Sequence, residues 1–303
     1  MRIRTAILSG VLPIAIASHA AAAVMPAHQT SNPWYTDAAT STNAKAAATT
    51  PNKAKNVILF VGDGMGVSTL TAARILQGQQ QGNQGEEGLL SFESFPHTAL
   101  VKTYNVDAQT PDSAGTMTAM MSGVKSDAGV LGVSENIERG DCSTVSGNEL
   151  ITAIELAELK GMSTGIISTA RITHATPAAA YAKSADRDWE DDGDLPDDAK
   201  AAGCEDIASQ LINFEPNLEA RIEGADVDGL DVVMGGGRRS FLPKDAAFNS
   251  DDAVSSVEGD RTDNRDLTAE WKARYPNGDY VFDHSAFDGV NANTTTKLFG
   301  LFN

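Results

Sequence analysis

Five consecutive apolar residues, Val57-Ile-Leu-Phe-Val61, run directly into Gly62-Asp63-Gly64-Met65-Gly66, and this junction constrains the chain more than any other stretch. An apolar run of that length without alternation suits a strand covered on both faces, the habit of parallel sheets flanked by helices. The glycines let the backbone turn tightly and carry Asp63 into the crevice beyond the strand's carboxyl end, where open α/β sheets bind ligands. About fifty residues later, Thr110-Pro-Asp-Ser-Ala-Gly-Thr116 sets Ser113 beside Asp112 at a helix start. A carboxylate and a serine exposed on one rim point to metal-assisted nucleophilic chemistry.

The remaining chain keeps alternating between apolar runs and helical stretches. Strands are expected at 57–61, 98–104, 163–168, 230–234 and 280–282, and helices at 68–76, 114–121, 148–160, 205–214 and 267–274. Strands and helices in turn predict an α/β fold: a three-layer α/β/α sandwich with a mostly parallel central sheet. The 303 residues, 41% hydrophobic, suffice for one large core or a core with a small satellite. The segment 77–84 and the acidic run 186–198 read as surface loops.

Three segments follow from composition. Residues 1–23 read as a signal peptide: Arg2 and Arg4 form the basic region, 6–17 the apolar region and 18–23 a small-residue cleavage zone. Residues 24–53, rich in Ala, Thr, Ser, Asn and Pro, read as a flexible N-terminal arm. Residues 54–303 form the α/β domain. The apolar leader is too short to cross a bilayer, so the expectation is a protein without a membrane span, exported to the periplasm or secreted. A net charge of −18 argues against general attraction to nucleic acid or anionic membrane. In an oxidising compartment the isolated pair Cys142 and Cys204 favours a disulfide over a metal site.

A third element reaches the same rim. Ser168-Thr-Ala-Arg-Ile-Thr-His-Ala-Thr-Pro177 follows an apolar strand and offers His174 and Thr176 as imidazole and hard-oxygen ligands. A serine hydroxyl needs a base or a metal to become nucleophilic, and no Gly-x-Ser-x-Gly elbow surrounds Ser113, so a hydrolase triad is not indicated. A helix N-terminus favours a phosphate's negative charge, and the planar fork of arginine suits its oxygens. Gly235-Gly-Gly-Arg-Arg239 lacks the Lys-Ser/Thr of a P-loop and reads as a tight turn. Asp283-His284 reads as a decoy for a metal pair. The acidic loops at 188–198 and 251–263 read as solvated acid rather than calcium sites.

The order Gly-Asp-Gly-Met-Gly66, Pro-Asp-Ser-Ala114, Thr-His-Ala-Thr-Pro177 and Asp-Arg-Asp-Trp189 resembles the alkaline phosphatase family, with Lys102-Thr-Tyr-Asn-Val-Asp107 and Asp231-Val-Val-Met-Gly-Gly-Gly-Arg238 adding to the likeness. The resemblance runs from about residue 56 to the C-terminus. It implies phosphate monoester hydrolysis through a phosphoserine intermediate, assisted by zinc and magnesium. Under it, Asp63 bridges the two metals and Ser113 is the nucleophile and a zinc ligand. Thr176 binds magnesium, His174 stands where members carry Asp or His near that ion, Arg187 grips two phosphate oxygens, and Asp112 orients that arginine. The family's remaining zinc ligands and a magnesium-binding Glu belong to a later block with no counterpart here, so the expectation is an incomplete family domain. Two alternatives stay open: an inactive phosphate- or metal-binding fragment, and a related phosphodiesterase or sulfatase. The resemblance also allows a homodimer.

Overall fold

The computed structural model describes residues 25–48, 54–95 and 99–302; the expected signal peptide lies outside them. Among the described residues four strands form one sheet: β1 Gly165–Arg171, β2 Val232–Gly236, β3 Asp279–Val281 and β4 Leu298–Phe302, in the order β1-β2-β4-β3. Every pairing is parallel, with Gly165 opposite Val232, Val233 opposite Phe299 and Tyr280 opposite Phe299. Helices connect and cover these strands, so the α/β expectation holds. Three of the four strands lie within a few residues of their expected places. β4 was not expected: Leu298-Phe-Gly-Leu-Phe302 holds no β-branched residue and carries a central glycine, both poor strand signals. Its glycine has a reason in the packing, since a Cβ on Gly300 would lie 2.9 Å from the Phe302 ring and 3.3 Å from Met234.

Apolar side chains of β2 and β4 meet flanking helices in the main core. Phe299 stacks edge-on against Phe241 at 5.5 Å and tilts against Trp271 at 5.3 Å. A second, smaller core gathers Val130, Val133, Ile137, Val145, Trp189 and Leu195 around the Cys142–Cys204 disulfide. Of the two core arrangements the sequence allowed, the one with a satellite is present, and the disulfide is formed as expected.

Two expected strands are not formed. Residues 57–61 run as irregular backbone with Val57, Ile58, Leu59 and Phe60 exposed, and the described residues of 98–104 do the same, with Leu100 and Val101 in solvent. The physical reason is pairing: a strand needs a neighbour's N–H and C=O groups, and among the described residues neither run pairs with one. Only Val61 packs against the main core.

Helix boundaries moved where caps dictate. The helix expected at 148–160 spans Ala153–Glu158, because Thr152 and Glu155 form a reciprocal capping box that sets its start. The stretch 205–214 divides into Ile207–Ile212, capped by Asp206, and Phe214–Arg221. The helix expected at 68–76 runs on through Val67–Gln80, into residues expected as loop, and the helix at 267–274 is found as predicted. In the stretch expected as a flexible arm, Ala27–Thr30 and Pro33–Ala48 are helical. Buried Gln29 is the anchor of this stretch: its amide donates to the Ser122 and Ile151 carbonyls and accepts from the Ile151 N–H.

Candidate active site

The serine arrives first. Asp112, in extended backbone, N-caps the Ser113–Ser122 helix, its carboxylate accepting from Ala114 N–H at 3.1 Å. Ser113 is therefore the first residue of the helix, where unpaired amides and the helix dipole favour an anion. The same Asp112 carboxylate accepts from Gly129 N–H at 2.8 Å and from the Arg187 guanidinium. One short side chain thus joins the serine's helix, the loop at 129 and the arginine.

Arg187 is built into place from several sides. Its backbone N–H donates to Gly129 O at 2.8 Å. Asp186 pairs with Arg139 across the surface, and Trp189 is buried in the satellite core. Glu190 is clamped by Arg171 at the end of β1 through bonds of 2.6–3.1 Å and accepts from Thr173 Oγ1 at 2.5 Å. Burial alone would raise the Glu190 carboxyl, but Arg171 and Thr173 outweigh it and hold it below the ordinary carboxylate value. With its backbone fixed this way, the Arg187 fork points one nitrogen at Ser113 Oγ (3.1 Å) and the other at His174 Nε2 (3.1 Å). Arginine only donates, so Nε2 of His174 is the acceptor in this contact, and its Nδ1 is buried with no hydrogen-bond partner among the described residues.

Asp63 enters from the turn after the unpaired apolar run. Gly64 makes that turn at φ +62°, a backbone region costly for residues with a Cβ, and Gly66 starts the helix that follows. Thr176 Oγ1 donates to Asp63 Oδ2 at 2.7 Å, and Thr176 lies two residues beyond His174. The structure therefore gathers the six expected residues into two groups, Asp63 with Thr176, and His174, Ser113 and Asp112 around Arg187, with no hydrogen bond between side chains of the two groups among the described residues. Cys142 and Cys204 are bonded to each other, with Cα atoms 6.0 Å apart.

The donors at this site are mostly oxygens, with His174 turned to the arginine. Among the described residues no group of three or more His, Cys, Asp or Glu side chains could hold a metal ion. That covers the acidic loops too, where Asp192 is committed to the Thr262 N–H and hydroxyl. Asp283 caps the short helix starting at His284, and exposed His284 faces Asp288, so this dipeptide is structural. Arg238 of the glycine-rich turn is buried against Glu258 and Asp252 and unavailable to an external phosphate.

Sequence reasoning did not single out Asn105, Gly129 or the Arg171–Glu190 clamp. Asn105 lies in the Lys102–Asp107 stretch already set apart by its likeness, the one signal that could have drawn attention to it.

The family model for alkaline phosphatase matches residues 54–303. Tissue-nonspecific alkaline phosphatase of Gallus gallus is 45% identical over 254 residues, and that of Homo sapiens 45% identical over 257, each alignment covering 83% of this chain. The chain spans about half the length of these curated relatives, 47% and 46%. Among solved structures, the cold-active alkaline phosphatase of the psychrophile Shewanella sp. superposes with a TM-score of 0.51 at 25% identity, covering 80% of this chain and 44% of that one. The Thermus thermophilus alkaline phosphatase, at 22% identity and a TM-score of 0.50 over 78% of this chain and 37% of its own, shares the fold.

Proposed function

Since the chain belongs to the alkaline phosphatase family, we propose that this site receives the phosphoryl group of a phosphate monoester on Ser113. The observation that carries the reading is the set of contacts made by Arg187, which reaches Asp112, Ser113 Oγ and His174 at once. Ser113 Oγ attacks phosphorus, the bond from phosphorus to the ester oxygen breaks, and the alcohol leaves carrying a proton. Water then attacks the phosphoserine and frees inorganic phosphate and the serine hydroxyl. Arg187 supplies two parallel donors to phosphoryl oxygens, and the helix amides behind Ser113 add to the positive field. Asp112 keeps that fork aimed, and His174 Nε2 anchors its second nitrogen. Phosphoryl transfer asks chiefly for such positioning and neutralisation of charge.

Zinc and magnesium are the proposed metals. Asp63 and Thr176 are hard oxygen donors suited to a share of a magnesium site. A bound ion there would supply Lewis acidity and charge neutralisation. Zinc takes three or four protein ligands, and here Asp63 and Ser113 offer two, so the described residues do not fit a self-sufficient zinc centre and no step is derived through it.

That short donor set favours a second reading, a protein that binds phosphate without turning it over. Hydrolysis of p-nitrophenyl phosphate with added zinc and magnesium separates the two. The enzyme reading expects turnover, a phosphate mass on Ser113 after an acid quench, and loss of both in Ser113→Ala. Phosphate binding with neither turnover nor a Ser113 adduct would leave the binding reading alone.

Export to the periplasm or medium is proposed from the N-terminal residues and agrees with the disulfide; cell fractionation that found the mature chain in the cytosol would refute it. A homodimer is likewise proposed by family, with sedimentation as its test.

A further inference from the structure

Asn105 is a buried polar residue that the mechanism above does not use. It is 2% exposed, and its Oδ1 accepts the backbone N–H of Asp112 at 2.8 Å. Its own N–H donates to Ala108 O at 2.9 Å, closing the turn that holds the side chain, and the next amide, Val106 N–H, donates to Ser126 O at 3.1 Å. The side-chain nitrogen is buried and has no hydrogen-bond partner among the described residues. A buried amide in that condition costs stability, so the side chain is not explained by its own hydrogen-bond balance.

What its place achieves is geometric. Asp112 is held from both sides of its backbone: Asn105 takes its N–H, while Thr116 donates to its carbonyl from both the backbone (3.0 Å) and Oγ1 (2.8 Å). The carboxylate is then committed to Ala114 N–H, Gly129 N–H and the Arg187 guanidinium. The Asn105 side chain also lies against the helix itself. A Cβ on Gly115 would come within 2.3 Å of Asn105 Nδ2 and 2.5 Å of Asp127 O, so the helix approaches Asn105 as closely as a residue without a side chain permits.

We propose that Asn105 is a positioning residue for the phosphate site, fixing the backbone of Asp112 so that Ser113 Oγ and the Arg187 fork keep their mutual geometry. This rests on the phosphate reading of the site. It differs from a general contribution to stability in one testable respect. Gln29 holds the same helix at its other end, through Ser122 O, and lies far along it from the serine. Loss of Gln29 should destabilise the helix without disturbing Asp112.

The test compares wild type, Asn105→Ala, Asn105→Asp and Gln29→Ala in the full chain by two readouts. Amide hydrogen exchange is measured over 110–116 without ligand, and binding of inorganic phosphate is measured by titration calorimetry. Asn105→Ala should speed exchange at Asp112 at least tenfold and weaken phosphate binding about five- to tenfold. Asn105→Asp, which keeps an acceptor at Oδ1, should recover most of the slow exchange, while its buried negative charge keeps phosphate binding weak. Gln29→Ala should lower the melting temperature and leave both readouts within twofold of wild type. Unchanged exchange in Asn105→Ala, equal effects of Gln29→Ala, or faster exchange with unaltered phosphate affinity would each overturn the assignment. Should wild type itself take up no phosphate, the function reading fails, and the exchange comparison still decides whether Asn105 holds Asp112.

Discussion

Phe60 and Phe299 both lie in apolar runs, the first the better strand candidate by sequence, yet Phe60 is 89% exposed and Phe299 1%. Phe299 lies in β4, paired on one side by β2 and on the other by β3, with Phe241, Trp271 and Tyr280 around its ring. Phe60 lies in a run that no strand among the described residues pairs. Apolar character thus makes a strand possible, and a partner makes it real. The difference reaches the site, because Asp63 hangs from the unpaired run while Ser113, His174 and Arg187 stand on the paired and cored body. Asp63 meets that body through Thr176.

The largest test of this contrast is a matched pair. Phe299→Ala should cost about 3–5 kcal/mol, whereas Phe60→Ala should stay within about 0.5 kcal/mol. Urea unfolding measures both, and equal losses would mean that residues 57–61 are buried in solution. Next comes the satellite core that carries Trp189 beside Arg187. The disulfide closes a separation of 62 residues, so Cys142→Ser should lower stability by about 2–4 kcal/mol, mostly through a less constrained unfolded chain. A loss near zero by thermal unfolding would show that this core stands without its crosslink.

A smaller effect comes from Asp191, in the loop that follows Arg187. Burial, with Asp194 nearby, pushes its carboxyl up from 3.8 to about 6. A raised folded-state value means the ionised form is disfavoured by folding, so the charge costs stability above pH 6 and that cost fades as pH falls towards 3.8. Asp191→Asn, which can keep the oxygen that accepts from Gly193 N–H, should raise stability at pH 8 by roughly 1 kcal/mol after allowance for screening. The gain should vanish by about pH 4; a gain independent of pH would contradict the burial argument.

The smallest expected change is Thr176→Val. The lost bond to Asp63 is solvent-exposed, so global stability should move by less than about 0.5 kcal/mol. Limited proteolysis near 57–66 should nevertheless quicken, because one tie between the two regions is gone. Unaltered cleavage would show that Val61 and its neighbours hold the segment by themselves.

Much of the site was legible because its chemistry depends on local spelling. Asp112 next to Ser113 at a helix start, and His174 and Thr176 after a strand, need only short-range geometry to be recognised. Asn105 was not legible, because its role is a bond to a backbone amide seven residues away and leaves no chemical signature of its own. Gly129 and the Arg171–Glu190 clamp were hidden for a related reason: they serve by where the chain returns. In the fold, β2 announced itself by Val232 and Val233, while β4 was concealed by Gly300 and the lack of branched residues.

By itself the sequence determined the α/β class, the family and the cysteine pair, and it named the six residues proposed for the site, because periodicity, caps and side-chain chemistry are local properties. Tertiary structure decided which apolar runs became strands, how Arg187 is aimed, and where Asn105 sits. Those outcomes depend on hydrogen-bond partners and packing neighbours supplied from distant parts of the chain, which no local pattern encodes.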